Sequence, residues 1–117
     1  MQTKHSEVFW QRLDELLATS KIVIDRPKGS CHPRFPEIVY QLDYGYLDAT
    51  TSTDGEGLDV WLGSEPDKGL VAVICTVDLD KRDAEMKLMV GCTEEQMRYI
   101  EDFYNNWPDM GGYIVRR

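Results

Sequence analysis

The sequence predicts one mainly-β domain over residues 1–117, a small closed β-barrel with flanking helices. A length of 117 residues suits a single domain with its own core. About six short runs rich in β-branched and aromatic residues fill the middle of the chain, with turn residues between them. Amphipathic helical patterns lie before and after these runs, and this arrangement is typical of a small barrel.

Each end of the chain carries a recognisable helix start. Ser6 is the expected N-cap of a first helix that reaches residue 19, because apolar residues recur there at helical spacing. Thr93 and Gln96 form a capping box that opens a second helix over residues 94–105, which Pro108 ends. The strands are expected at residues 21–24, 38–40, 44–47, 58–62, 70–77, 86–90 and 113–115.

Net charge and cysteine usage limit the functions and locations that fit. With 13 Lys and Arg against 21 Asp and Glu, the net charge of −8 disfavours nucleic acid and anionic membranes as partners and favours metal cations. No apolar run approaches the ~20 residues that span a bilayer, and the chain begins with a polar stretch. The cysteine number is odd, and Cys75 is expected to be a buried, reduced thiol. We therefore expect a cytoplasmic protein.

Two acidic clusters lie where predicted strands begin or end. The first combines three carboxylates with two glycines that allow a tight turn: Asp54, Glu56 and Asp59. The second holds four carboxylates and is followed by Lys87: Asp78, Asp80, Asp83 and Glu85. In a strand, Glu85 and Lys87 point to the same face. Oxygen ligands of this kind suit Mg²⁺, which is usually held by one or two carboxylates together with phosphate oxygens.

Both clusters also fit a simpler interpretation as solvated surface loops of an acidic protein. An EF-hand is a poorer alternative, because a calcium loop that starts at Asp54 would place Leu58 at its fifth, ligand-bearing position. The choice between a solvated loop and a magnesium site therefore depends on the other chemistry in the chain.

A basic segment supplies the opposite charge. Its cationic or titratable side chains are Lys21, Arg26, Lys28, His32 and Arg34. An Arg side chain can bind phosphate oxygens through two parallel hydrogen bonds, so this segment indicates an anion site unless it only neutralises nearby acids. Three tyrosines that follow are spaced to share one side, either in the site or in the core: Tyr40, Tyr44 and Tyr46.

The first acidic cluster and the tyrosines resemble motifs of the soluble family I inorganic pyrophosphatases. The pattern Asp54-x-Glu56-x-x-Asp59 is similar to the acidic signature of that family, Asp-x-Asp-x-x-Asp. The sequence Tyr44-Gly-Tyr46 precedes it, as a similar Tyr-Gly-Tyr does in the family. Motifs in this order are more specific than any one short acidic motif.

Further elements extend the resemblance over most of the chain. The pattern from Asp80 to Glu85 and Lys87 is similar to a second acidic element of the family. Asp25 and Arg34 lie at places similar to those of a loop acid and a phosphate-binding Lys. The chain is therefore expected to share the fold and the chemistry of these enzymes.

The resemblance implies an OB-like barrel that hydrolyses pyrophosphate to two phosphates with several Mg²⁺ ions, Mn²⁺ being an alternative. Glu56 would orient or deprotonate the attacking water, while Arg34, Tyr44 and Lys87 would contact phosphate oxygens. The implied partners are pyrophosphate, or another small phosphate ligand, and further copies of the chain. The implied metal ligands are Asp54, Asp59, Asp80, Glu85 and, through water, Asp25.

The sequence also departs from the family pattern. Glu56 and Glu85 replace shorter aspartates, and a shift of ~1 Å in a catalytic carboxylate can cost about a hundredfold in rate. A hairpin ahead of the tyrosine motif is absent, together with its phosphate-binding Arg. The C-terminal Tyr-Lys pair aligns with Trp107-Pro108. The cations that could replace these donors are Lys28 and Arg116.

Three functions remain open on the sequence. The first is Mg²⁺-dependent hydrolysis of pyrophosphate by a metal-activated water. The second is a catalytically weak module of the same fold that binds Mg²⁺ and a phosphate-bearing ligand. The third is hydrolysis of a larger nucleoside polyphosphate that enters through the opening left by the absent hairpin.

Overall fold

The computed structural model describes residues 3–52 and 54–117. Two α-helices enclose a mainly-β middle, and a short 3₁₀ turn precedes the longest strand. The elements are α1 (Lys4–Ala18), β1 (Ile22–Arg26), β2 (Asp43–Leu47), β3 (Leu58–Leu62), the 3₁₀ turn (Pro66–Lys68), β4 (Leu70–Asp78), β5 (Asp83–Val90), α2 (Glu94–Asn105) and β6 (Met110–Arg116).

The strands form one sheet in the order β1-β2-β3-β5-β4-β6. Neighbouring strands are antiparallel, except that β3 and β5 pair in parallel. A parallel pair needs a long crossover connection, and β4 lies within the connection from β3 to β5. The prediction of a mainly-β fold with flanking helices is therefore confirmed, while closure into a barrel stays a prediction.

Each face of the sheet packs against one of the helices. On the first face, α1 contributes Trp10 and Leu13 to a core that it shares with β2, β3, β4 and β5. On the second face, α2 packs its apolar stripe against the sheet and against the chain before β2. The buried residues of that stripe are Met97, Ile100 and Tyr104.

Strand alternation brings acidic and basic groups to the face that α2 covers. Trp61 of β3 and Met89 of β5 are fully buried in the α2-side core. Side chains two residues apart on a strand share a face, so Asp59 joins Trp61, and Glu85 and Lys87 join Met89. The β3 and β5 ladder is parallel, which places these charged residues side by side at one end of the α2-side core.

Gly45 lies between the two tyrosines of β2 because no side chain fits there. It pairs with Ile24 of β1, and a Cβ atom at this position would lie 1.8 Å from the carbonyl oxygen of Val23. A Cβ atom can be accommodated only if β1 moves away from β2. The glycine of the Tyr-Gly-Tyr sequence therefore keeps the β1 end of the sheet closely packed.

We expect Gly45→Ala to lower the free energy of unfolding by about 3 kcal/mol, the upper part of the range for overpacked sites. Urea denaturation followed by circular dichroism measures this loss. Gly111→Ala in β6 is the matched control, since a Cβ atom there meets only Asn105 Oδ1 at 3.7 Å. Equal stabilities for the two variants would contradict this account of Gly45.

The structure corrects two predicted boundaries. The N-cap of α1 is Thr3 rather than Ser6, and Ser6 instead completes a capping box from the N3 position. Residues 38–40 do not form a strand. Val39 makes one isolated bridge to Cys31, and the Pro-rich segment around it turns too often for a ladder.

Cys75 is exposed, which makes the prediction of a buried thiol wrong. Alternation along β4 puts Cys75 on the α1 side of the sheet, opposite Tyr113 of β6, beyond the part of that face that α1 covers. Of the three cysteines it is Cys92 that is buried, and burial raises its pKa to about 12. Within residues 3–52 and 54–117, neither helix combines the length and apolarity that a membrane crossing needs.

Candidate active site

Lys87 is the centre of a buried ionic network on the α2 side of the sheet. Its Nζ donates to Asp59 Oδ2 at 2.6 Å and to Glu85 Oε2 at 3.0 Å. A third bond runs from Nζ to the Tyr44 hydroxyl at 3.2 Å. An ammonium group has three N–H donors, so these acceptors engage all of them. Lys87 is only 6% exposed, and its charge is balanced by the two carboxylates.

Burial and charge act in opposite directions on the groups of this network. Burial disfavours the Lys87 ammonium, but neighbouring Tyr104, Tyr44 and Asp59 outweigh it and hold the pKa of Lys87 well above its ordinary value. Burial also raises the pKa of Tyr44 well above its ordinary value and that of Tyr104 to about 12. At neutral pH the network therefore holds a charged lysine, and the phenols of Tyr44 and of neighbouring Tyr104 are neutral.

The first carboxylate of each acidic cluster accepts hydrogen bonds from its own loop. Asp54 Oδ1 accepts bonds from the Glu56 amide at 3.0 Å and the Ser52 hydroxyl at 2.8 Å. These two bonds lower the pKa of Asp54. Asp78 Oδ1 accepts bonds from the amides of Asp80 and Lys81 in the turn between β4 and β5. The solvated-loop interpretation therefore describes part of what both carboxylates do, and both also line a cavity that opens over the Lys87 network.

A cavity of about 1150 Å³ opens over this network. Strands β1, β2, β3 and β5 form its floor, and the loops around residues 32–38, 54–57 and 78–81 form its rim. The residues to which the resemblance gives a catalytic or metal-binding role all line it: Asp25, Arg34, Tyr44, Asp54, Glu56, Asp59, Asp80, Glu85 and Lys87.

The sequence matches a known family model, and the fold matches a solved structure. The family model described as Inorganic Pyrophosphatase matches residues 15–115, which is most of the chain. The chain belongs to the inorganic pyrophosphatase family. This match confirms the resemblance that the acidic and tyrosine motifs carry.

The fold of this pyrophosphatase-family chain is similar to that of a solved structure. An inorganic pyrophosphatase from the pathogenic bacterium Helicobacter pylori superposes with a TM-score of 0.56 and 17% sequence identity. The superposition covers 85% of this chain and 84% of that one. At such low identity the likeness shows the fold alone. No curated protein matches the sequence.

The candidate residues outside the Lys87 network are the more exposed residues of the cavity lining. Asp25, Arg34, Glu56 and Asp80 are exposed. Among the described residues, no three Asp, Glu, His or Cys side chains converge closely enough to hold a metal ion by themselves. Asp59 and Glu85, the best-placed carboxylate pair, share the Lys87 ammonium instead.

The two cations named as replacements for lost phosphate donors do not line the cavity. The Lys28 backbone amide donates to Asp43 at 2.8 Å, beside a smaller surface pocket. Arg116 is paired with Glu94 at the start of α2. In this structure neither residue lies over the Lys87 network.

Arg26 belongs to the basic segment and has no predicted role in the site, yet the structure places it in the lining of the cavity. Its Nη1 donates to the Tyr40 hydroxyl at 2.6 Å, and its guanidinium carbon lies 5.5 Å from the Tyr44 ring centroid. Burial opposes its charge, but the bond to Tyr40 outweighs this and raises the pKa of Arg26. No sequence signal marks this position, because the pairing of Arg26 with Tyr44 follows an irregularity in the register of β1 and β2.

His32 is held neutral within the basic segment. Its Nδ1 accepts bonds from the backbone amides of Arg34 at 3.0 Å and Phe35 at 3.3 Å, which requires an unprotonated nitrogen. Burial lowers the pKa of His32, and the nearby charges of Arg26, Arg34 and Lys81 lower it further.

We therefore expect the His32 imidazole signals to titrate below pH 6.5 in an NMR titration. Since the folded-state pKa lies below the unfolded value, the stability contribution of neutral His32 is fully present above pH 6.5. It is lost as the pH falls through the lower, folded-state pKa. Assignment by comparison with His32→Gln identifies the signal. A midpoint at or above pH 6.5 would contradict the neutral, bonded imidazole.

Proposed function

We propose that this protein hydrolyses inorganic pyrophosphate to two phosphates with the help of Mg²⁺. The observation that carries the proposal is the single cavity that gathers two acidic loops, two arginines and the Lys87 network. Membership of the pyrophosphatase family supports the same reaction. The small phosphate ligand would arrive with its cations, which explains how a chain of net charge −8 can accept an anion.

The donor set of the cavity fits Mg²⁺ in its chemistry. Its rim and floor offer carboxylate oxygens, which are the ligands that Mg²⁺ prefers. The carboxylates lie apart rather than in a cage of three, and Mg²⁺ commonly keeps water and substrate oxygens as its remaining ligands. We propose that the ligands are Asp54, Asp59, Asp80 and Glu85, with Asp25 acting through water. When bound, Mg²⁺ supplies acidification of water and neutralisation of phosphate charge.

The remaining roles are assigned to side chains of the chain itself. Glu56 is proposed to orient the attacking water and accept its proton, because it is an exposed rim carboxylate next to Asp54. Arg34 and Arg26 are proposed to bind phosphate oxygens from the basic side of the cavity. Tyr44, a neutral phenol at the cavity floor, is proposed to donate to a phosphate oxygen in exchange for its present bond to Asp59. Lys87 reaches phosphate only by exchanging one of its present acceptors.

The deciding assay is phosphate release from pyrophosphate, measured with and without Mg²⁺ and with Mn²⁺ as an alternative. We expect release that depends on Mg²⁺ and is removed by a chelator. An absence of release from well-folded protein at any Mg²⁺ concentration would reject the enzymatic proposal. The accompanying proposals of a cytoplasmic location, no nucleic-acid partner and a homo-oligomeric state are tested separately by fractionation, gel shift and light scattering.

A second candidate function is a phosphate-binding module with weak turnover. The Lys87 network favours it, because an ammonium already occupies the position between Asp59 and Glu85 and has no free N–H donor. For such a module, pyrophosphate with Mg²⁺ should raise the melting temperature while no phosphate appears. Phosphate release at a rate typical of an enzyme would exclude it.

A further inference from the structure

The cavity has an aromatic wall beside its charged floor. We define the aromatic wall as the four partly exposed rings His32, Phe35, Phe103 and Trp107. Trp107 lies 5.3 Å from His32, 5.5 Å from Phe35 and 5.6 Å from Phe103, measured between ring centroids. All three pairs meet at steep angles of 61–83°. None of these three contacts is a parallel stack, and Trp107 is partly exposed and lines the cavity, so part of its surface is open to a ligand.

Packing alone accounts for only part of this wall. Tyr40 behind it is 2% exposed and belongs to the α2-side core, together with Phe103 packed against that core. Phe35 is 36% exposed, and Trp107 is also partly open to the cavity. Large apolar rings that stay exposed beside a polar cleft are typical of a ligand-binding surface rather than of a core.

The side chain of Tyr40 lies between the aromatic wall and the Lys87 network. The Tyr40 ring contacts His32 and Phe103 of the wall and lies 5.5 Å from the Tyr44 ring. The Tyr44 hydroxyl in turn accepts a bond from Lys87. Arg26 bonds to Tyr40 at this boundary, so a cation stands between the wall and the floor. One ligand with a flat ring and an attached phosphate chain can therefore touch both.

The size of the cavity also favours a ligand larger than pyrophosphate. At about 1150 Å³ it is larger than the ~300–1,000 Å³ of sites that enclose drug-sized ligands. Two linked phosphates fill only a small part of such a space. A ring attached to the phosphates would bury the exposed aromatic surface that pyrophosphate leaves in water.

We propose that the aromatic wall is a subsite for the base of a nucleoside 5′-diphosphate or triphosphate. This inference rests on the proposed function and extends its substrate class. The base stacks on Trp107 and Phe35, while Arg26 and Arg34 bind the phosphates. In the reaction, the oxygen of water forms a bond to the terminal phosphorus and the bond to the bridging oxygen breaks. The products of a diphosphate are phosphate, the nucleoside monophosphate and a proton.

The test separates the contribution of the ring from that of the phosphates. Binding of the non-hydrolysed α,β-methylene analogue of adenosine diphosphate is compared with binding of methylenediphosphonate, both with Mg²⁺, by calorimetry. We expect the wild type to bind the adenosine compound at least about tenfold more tightly, and Trp107→Ala to remove most of that preference. Phe35→Ala, at a more exposed position, provides a second variant if Trp107→Ala fails to fold. Tyr113→Ala, an exposed aromatic outside the cavity, should keep the preference.

Phosphate release from pyrophosphate is measured on the same preparations. Hydrolysis of pyrophosphate without any preference for the adenosine compound would overturn the subsite and leave the proposed function intact. A preference that both wall variants retain would overturn the subsite as well. A wall-dependent preference without hydrolysis would reject the proposed reaction and keep the subsite. If the wild type neither binds the adenosine compound nor hydrolyses pyrophosphate, both proposals are wrong.

Discussion

Replacing Asp59 with asparagine is expected to lower the rate of phosphate release from pyrophosphate by at least a hundredfold, if hydrolysis occurs at this cavity. Asp59 lies at the floor beside Lys87, and it is a proposed ligand of the ion that activates the reaction. An amide of nearly the same shape removes the negative charge, and the loss of one well-placed electrostatic group commonly costs about 10²–10³ in rate. Steady-state phosphate release at saturating Mg²⁺ measures the effect.

Asp67→Asn is the matched control for Asp59→Asn. Asp67 lies in the exposed 3₁₀ turn and does not line the cavity, so this substitution makes the same chemical change away from the site. We expect its rate to equal that of the wild type. Circular dichroism checks that Asp59→Asn keeps its fold, since Lys87 retains its bond to Glu85. A folded Asp59→Asn variant with the wild-type rate would move the reaction away from this cavity.

The parts of the fold that sequence predicted well are those with strong local signals. Helix α2 begins and ends as predicted, because Thr93 and Gln96 form both bonds of the capping box. Strand β3 also has its predicted bounds, as residues 58–62 carry apolar side chains on both faces between turn residues. Local chemistry determines these elements, so no tertiary information was needed.

The errors arose where tertiary contacts decide the outcome. An apolar run such as β4 predicts a strand, but how far α1 extends over its face determines whether Cys75 is buried. Residues 38–40 have strand-like side chains, yet Tyr40 bonds back to the loop through Gly29 and Ser30 instead of joining the sheet. Propensity describes the side chain, and the pairing partner decides the strand.

In the candidate site, too, the sequence predicted the features that depend on motif spacing and missed those that depend on tertiary contacts. Motif spacing placed the residues proposed for catalysis and metal binding around one cavity, since strand ends and their loops meet at one end of the sheet, but the suggested donors Lys28 and Arg116 lie outside it. Spacing could not show that the donors of Lys87 are taken by Asp59, Glu85 and Tyr44. That network depends on the parallel pairing of β3 with β5, which joins residues distant in sequence.

Lys87→Met is expected to lower the free energy of unfolding by about 3 kcal/mol. The change removes a buried cation and leaves the Asp59 and Glu85 carboxylates facing each other, and breaking a buried ion pair on one side typically costs about 3–5 kcal/mol. The lower end applies because Asp59 keeps some contact with water, its side chain being 24% exposed. Urea denaturation in the presence of a chelator measures the loss as a lower midpoint concentration of urea with an unchanged m-value.

Lys68→Met makes the same change in an exposed pair with Glu65 and should lower the free energy of unfolding by less than about 1 kcal/mol.

The effect of Mg²⁺ on the two variants then tests the carboxylate pair without any assay of turnover. Because Lys87→Met frees Asp59 and Glu85 for another cation, millimolar Mg²⁺ should raise its melting temperature more than that of the wild type or Lys68→Met. An equal rise in all three proteins would mean that Lys87 only neutralises these carboxylates, and the metal ligands would then have to be sought among the rim residues.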